Sequence, residues 1–162
     1  MTAESPVTVR LLRDGVQPPD MRGETINPAL VDRRWETVCL LDRLLPERGA
    51  AALLSAGGEP VQVALFRMAD GTGGGEVKGG GPEGQEGGRV TVMAIGNVDP
   101  FSGAAVLSRG IVGDRGGVPT VASPVYKQVF SLLTGECLDD PAVRVPVYPV
   151  RVADGWLQVG LP

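Results

Sequence analysis

Histidine is absent from this 162-residue chain. That zero excludes a Ser-His-Asp triad. It also excludes sites that need imidazole, including His-bound zinc, haem and non-haem iron. Cysteine occurs twice, at Cys39 and Cys137, far apart and in no C-x-x-C pair. Four-thiolate zinc and iron–sulfur sites are thereby excluded from this chain. Aromatics make up 4% of residues, so the core is expected to be aliphatic. Lysine is reduced to Lys78 and Lys127, and the net charge is −4. No basic field exists to displace counterions, so no nucleic-acid partner is expected. No apolar run approaches the roughly 18 residues of a membrane span, so no membrane partner is expected either. Residues 1–10 carry no apolar signal core. The two thiols are therefore read as reduced, and the protein as cytoplasmic.

What is present points to short strands. Hydrophobic residues are 43% and charged residues 21%, a globular balance. Glycine (24) and proline (14) together are about twice the usual share, which favours turns over long helices. Residues 1–33 hold four prolines and no sustained period, and read as a flexible tail despite Val7, Val9 and Leu11. Residues 34–162 read as the domain. Strands are expected at 35–40, 50–54, 61–66, 90–95, 118–122 and 128–131 from their β-rich runs. A long strand is expected over 143–152, with Pro146 and Pro149 marking an edge or a bulge. Ala153-Asp154-Gly155 should turn the chain into a closing strand at 156–159. Asp42 to Pro46 reads as one helical turn. Residues 71–88, of which 10 of 18 are glycine, read as a mobile insertion. That run is no phosphate loop, because Lys78 precedes Gly79 rather than Ser or Thr and no helix follows. The spacing of short strands is that of an all-β sandwich or small barrel.

Two loops carry the functional signal. The first is Gly96-Asn97-Val98-Asp99-Pro100-Phe101-Ser102-Gly103-Ala104, directly after a strand. The second runs from Ser123-Pro124-Val125-Tyr126-Lys127-Gln128 through Phe130 and Leu132 to Thr134-Gly135. Together they resemble the cluster-binding loops of a Rieske domain, written C-P-H-x-G-A and C-P-x-H-G-x-x-F-x-L-x-T-G. The resemblance places Asp99 and Phe101 at the ligand positions of the first loop, and Ser123 and Tyr126 at those of the second. Rieske irons need two thiolates and two imidazoles, and phenyl, phenol and hydroxyl groups do not substitute for them. The expectation is a Rieske-like all-β fold of short antiparallel strands without an iron–sulfur cluster.

With Leu107 to Gly113 and Asp139-Asp140-Pro141 added, the chain resembles the small-subunit family of the assimilatory nitrite reductase that uses NADH or NADPH. The resemblance covers about residues 35–160. In that family the siroheme, iron–sulfur cluster, FAD and nicotinamide site belong to the large subunit. The resemblance therefore implies an accessory role, no cofactor and no catalytic residue in this chain, and the large subunit as partner. The alternatives are a cluster-free interaction module for another redox partner and a ferredoxin-like carrier, which the missing ligands disfavour. If the loops face one another, Pro100, Phe101, Pro124, Val125, Tyr126 and Lys127 become candidates for a partner interface. Plainer readings stand beside these. Asp99-Pro100 favours a turn in any context, Phe101 and Tyr126 could be core aromatics, and Lys127 a solvated lysine. Cys39 reads as a small buried apolar residue, and Trp35 and Trp156 as packing anchors.

Overall fold

The computed structural model describes residues 8–9, 33–69 and 90–162. The expectations of a flexible tail (1–33) and a mobile insertion (71–88) lie outside those residues, apart from Thr8, Val9 and Arg33. Eleven strands are described, and all pair antiparallel. They are β1 (Thr8–Val9), β2 (Arg34–Leu40), β3 (Gly49–Ala56), β4 (Glu59–Arg67), β5 (Val90–Gly96), β6 (Ile111–Arg115), β7 (Val118–Ala122), β8 (Val129–Ser131), β9 (Val147–Tyr148), β10 (Val150–Ala153) and β11 (Trp156–Leu161). One sheet runs β1-β5-β4-β3 with β9 also on β5. A second runs β10-β11-β2 and a third β6-β7-β8.

The first sheet is the middle layer. Side chains alternate along a strand, and in β4 and β5 both faces are covered. Val63, Leu65, Val92 and Ala94 pack into one apolar cluster with Val150, Leu157, Val159 and Leu161 of the second sheet. Ala64, Phe66, Met93 and Ile95 face the opposite way and pack with Val121, Phe130, Leu132 and Cys137 around the third sheet. This explains why residues 61–66 and 90–95 are nearly continuous apolar runs. Strand β3 is covered on one face only, and its pattern alternates accordingly. Cys39 packs partly buried against the first cluster. Burial, and then the nearby Asp42 charge, push its thiol pKa up, so the thiol stays protonated at neutral pH.

Three local readings change. The turn expected at 42–46 is a single 3-10 turn, Leu41–Arg43, whose Leu41 side chain enters the core. The long strand expected over 143–152 is two strands. Pro149 lies between them, β9 pairs with β5, and β10 pairs with β11. Proline supplies no N–H to a ladder, and its carbonyl accepts from Gly160 N at 2.9 Å, so the chain changes sheets there. Strand β6 falls where no strand was expected. Its signal was the Gly116-Gly117 pair ahead of Val118, which joins β6 to β7 as a two-residue hairpin. Trp156 is exposed. Trp35 is half-buried, and the Arg151 guanidinium sits 4.1 Å from its ring centroid.

Candidate functional site

The candidate site is the end of the third layer, where two loops meet. Asn97 begins the first and is buried. Its N–H donates to Gln62 O at 3.0 Å, and its carbonyl accepts from Val106 N at 2.9 Å and Leu107 N at 3.1 Å. Its side chain accepts from Ser108 N at 2.8 Å and donates to Gln62 Oε1 at 3.2 Å. The sequence reading missed this hub. Asn immediately after a strand and before a turn was the available signal, since its amide satisfies donors and acceptors together. Within the loop, Asp99 N donates to Ala104 O at 2.8 Å, and Gly103 N to Asp99 O at 2.7 Å.

Ser123 closes the second loop in the same manner. Its N–H donates to Gln128 O at 2.8 Å, and its carbonyl accepts from Lys127 N at 3.1 Å. Lys127 takes the left-handed backbone region (φ 68°), unusual for a side-chain-bearing residue. Its Nζ donates to Pro124 O at 2.8 Å.

The two loops are joined by a clasp. Asp99 and Ser123 are both 0% exposed. Ser123 Oγ donates to Asp99 Oδ2 at 2.6 Å, the short distance typical of a hydroxyl bound to a carboxylate. Asp99 Oδ1 accepts from Phe101 N at 2.9 Å. Burial pushes the Asp99 pKa up. Hydrogen bonds from the Ser123 hydroxyl, the Phe101 amide and Ser102 outweigh it and leave the carboxyl below its ordinary value.

Of the four positions that the resemblance sets against cluster ligands, these two are brought together. The other two diverge. Phe101 is half-buried and turns inward, its ring 6.2 Å from that of Phe130 at 54°. Tyr126 turns outward and is 61% exposed. A [2Fe-2S] cluster does not fit this arrangement. The Asp99 and Ser123 oxygens are spent on each other, Phe101 offers no donor atom, and the chain holds no histidine. Among the described residues no group of three or more His, Cys, Asp or Glu converges.

The interface candidates divide likewise. Pro100, Val125, Tyr126 and Lys127 are exposed, and Phe101 and Pro124 half-buried. Val98 (44%), Val125 (42%) and Ile111 (69%) add exposed apolar surface at these loops and at the start of β6. Ile111 pairs with Ala122, the residue before Ser123. Asp139 serves the scaffold. Its carboxylate accepts from Arg115 Nη1 at 2.9 Å and Val129 N at 2.8 Å.

Comparison with known proteins adds to this geometry. Residues 86–160 match the family described as the Rieske-like [2Fe-2S] domain. The chain is 39% identical over 126 residues to the nitrite reductase (NADH) small subunit of Escherichia coli (strain K12), spanning 78% of this chain and 96% of that protein. It is 38% identical over 133 residues to the nitrite reductase [NAD(P)H] large subunit of Klebsiella oxytoca, spanning 82% of this chain but 11% of that protein. Among solved structures, one described as an NADH-dependent nitrite reductase small subunit from Mycobacterium tuberculosis superposes with a TM-score of 0.63 at 49% identity. That match covers 80% of this chain and 96% of the other.

Proposed function

The chain belongs to the nitrite reductase (NADH) small-subunit family, and from that membership we propose that it is the non-catalytic accessory subunit of an NAD(P)H-dependent nitrite reductase. Reduction of nitrite to ammonium takes nitrogen from +3 to −3, which requires six electrons from the nicotinamide. On this reading the large subunit carries the siroheme, iron–sulfur cluster and FAD that transport them. This chain contributes a shaped surface and no cofactor. The reaction supplies assimilable nitrogen, and the protein works in the cytoplasm. No helix among the described residues is long and apolar enough to cross a membrane.

The observation that carries the reading is the clasp. The two loops that would grip a cluster are retained, and Asp99 and Ser123 hold them together by a buried hydrogen bond. Loops kept in register without a metal serve by their shape. The tip formed by Pro100, Phe101, Pro124, Val125, Tyr126 and Lys127 is on this reading what the large subunit contacts. The Klebsiella oxytoca relative supports the partnership, because there a stretch homologous to most of this chain lies within a large-subunit polypeptide.

The test uses the purified chain and the large subunit from the same source. We expect co-elution on size exclusion, and nitrite-dependent oxidation of NADH or NADPH faster in the mixture than with the large subunit alone. Separate elution with no change in rate would overturn the reading in favour of a module for another redox partner.

A further inference from the structure

The exposed charges within the two loop stretches have the sign opposite to the net charge of the chain. Between Gly96 and Gly110 the sequence carries two charges, Asp99 and Arg109, and between Ser123 and Gln128 one, Lys127. The single carboxylate is buried and bonded to Ser123 and Phe101. Both cations are exposed. Arg109 ends the 3-10 turn Leu107–Arg109, two residues before the exposed Ile111. Gly110 between them packs so closely on the Ala122 carbonyl and the Val121 side chain that a Cβ there would collide. The backbone that follows Arg109 is thereby fixed against the end of β7, next to Ser123. Lys127 is held by its bond to Pro124 O, leaving two of its three ammonium donors to face outward. Asp139, beyond the second loop in sequence, is engaged by Arg115 and the Val129 amide. The solvent-facing charges of the stretches 96–110 and 123–128 are thus two cations, Arg109 and Lys127, on a chain of net charge −4. The same stretches and the residue after Gly110 carry the exposed Val98, Val125, Tyr126 and Ile111, and the exposed Asp114 and Asp140 lie outside them.

We propose that the tip is received by an anionic seat on the large subunit: an apolar centre that takes Val125 and Tyr126, rimmed by carboxylates that meet Arg109 and Lys127. This rests on the docking role proposed above and adds the chemistry of the receiving surface. The sign follows from complementarity. Like charges juxtaposed across an interface are penalised, and rim charges of opposite sign steer encounter and fix orientation. A net-negative chain approaching an anionic seat is repelled in most orientations and attracted tip-first. The two cations therefore select the docking face, while the apolar contacts hold it.

The test measures association and dissociation rates between the full chain and the large subunit across a salt series. We expect the association rate to fall about tenfold from low to high salt, as surface attraction is screened. Lys127→Glu and Arg109→Glu should each slow association several-fold, and Lys127→Arg should restore it. Arg43→Glu, at the exposed last residue of the Leu41–Arg43 turn, should leave the rate within about twofold. Tyr126→Ala should act mainly on dissociation. Rates indifferent to salt and to both charge reversals, with Tyr126→Ala still weakening the complex, would overturn the anionic seat and leave the docking tip standing. If Tyr126→Ala and both reversals are all silent although the complex forms, the docking role of the tip fails as well.

Discussion

Asp99→Ala is expected to lower the unfolding free energy by about 3 kcal/mol, which for a domain of this size is a loss of roughly 10 °C in Tm. The carboxylate is fully buried and accepts from Ser123 Oγ and Phe101 N. Hydrogen bonds to a charged group contribute about 1.5–3 kcal/mol each, and removing the acceptor strands the buried Ser123 hydroxyl. Ser123→Ala removes one donor and should cost about 2 kcal/mol. The double variant should cost less than the sum of the two, because both singles break the same bond. Thermal melts of the three variants check this. An Asp99→Ala protein that melts with the parent would show that the loops stay closed for another reason.

The effect should depend on pH with a definite sign. The native Asp99 carboxyl titrates below its ordinary value. Its contribution is therefore fully present above the unfolded pKa of about 3.9 and is lost as pH falls through the lower native value. The gap in stability between parent and Asp99→Ala should be flat near neutrality and narrow only below about pH 4. A gap that instead changes between pH 6 and 8 would contradict this account of the clasp.

Gly135→Ala is expected to be at least as damaging. Gly135 sits at φ 72°, where a Cβ is strained, and that Cβ would overlap the Val145 carbonyl. The strain costs about 1–2 kcal/mol and the overlap about 1–3 more. Neither neighbour is free to give. Gly135 N donates to Ser131 O at 2.9 Å, and Val145 N donates to Gly135 O at 2.9 Å. Against a total stability of about 5–15 kcal/mol, the loss should leave a poorly cooperative transition in urea. Gly57→Ala is the control. Its φ is 61° but nothing lies within 4 Å of the added carbon, so it should cost about 1 kcal/mol. Equal losses at the two sites would mean that backbone strain alone, and not the Val145 contact, sets the penalty.

The meeting of the two loops was legible only in outline. The sequence places Asp99 and Ser123 in separate loops, and their residue types alone show that no cluster can be ligated there. It does not show that one carboxylate oxygen ends 2.6 Å from the hydroxyl, because nothing local couples positions 24 residues apart. Phe101 and Tyr126 look equivalent as aromatics in tight loops. Only packing separates them, since the second apolar cluster reaches Phe101 through Phe130 and stops short of Tyr126.

The same division runs through the fold. Most strand positions, the Asp154-Gly155 turn and the all-β class follow from alternation and turn chemistry, which act over a few residues. Histidine's absence, two distant cysteines and the loop spacing determined what the chain does not ligate and which family it resembles. The tertiary structure alone decided that β4 and β5 are buried on both faces, and that the chain crosses from one sheet to the next at Pro149. It also decided that Asp99 is buried while Arg109 and Lys127 stay at the surface. These outcomes depend on which layers lie against which, a property of long-range packing that no short window of sequence encodes.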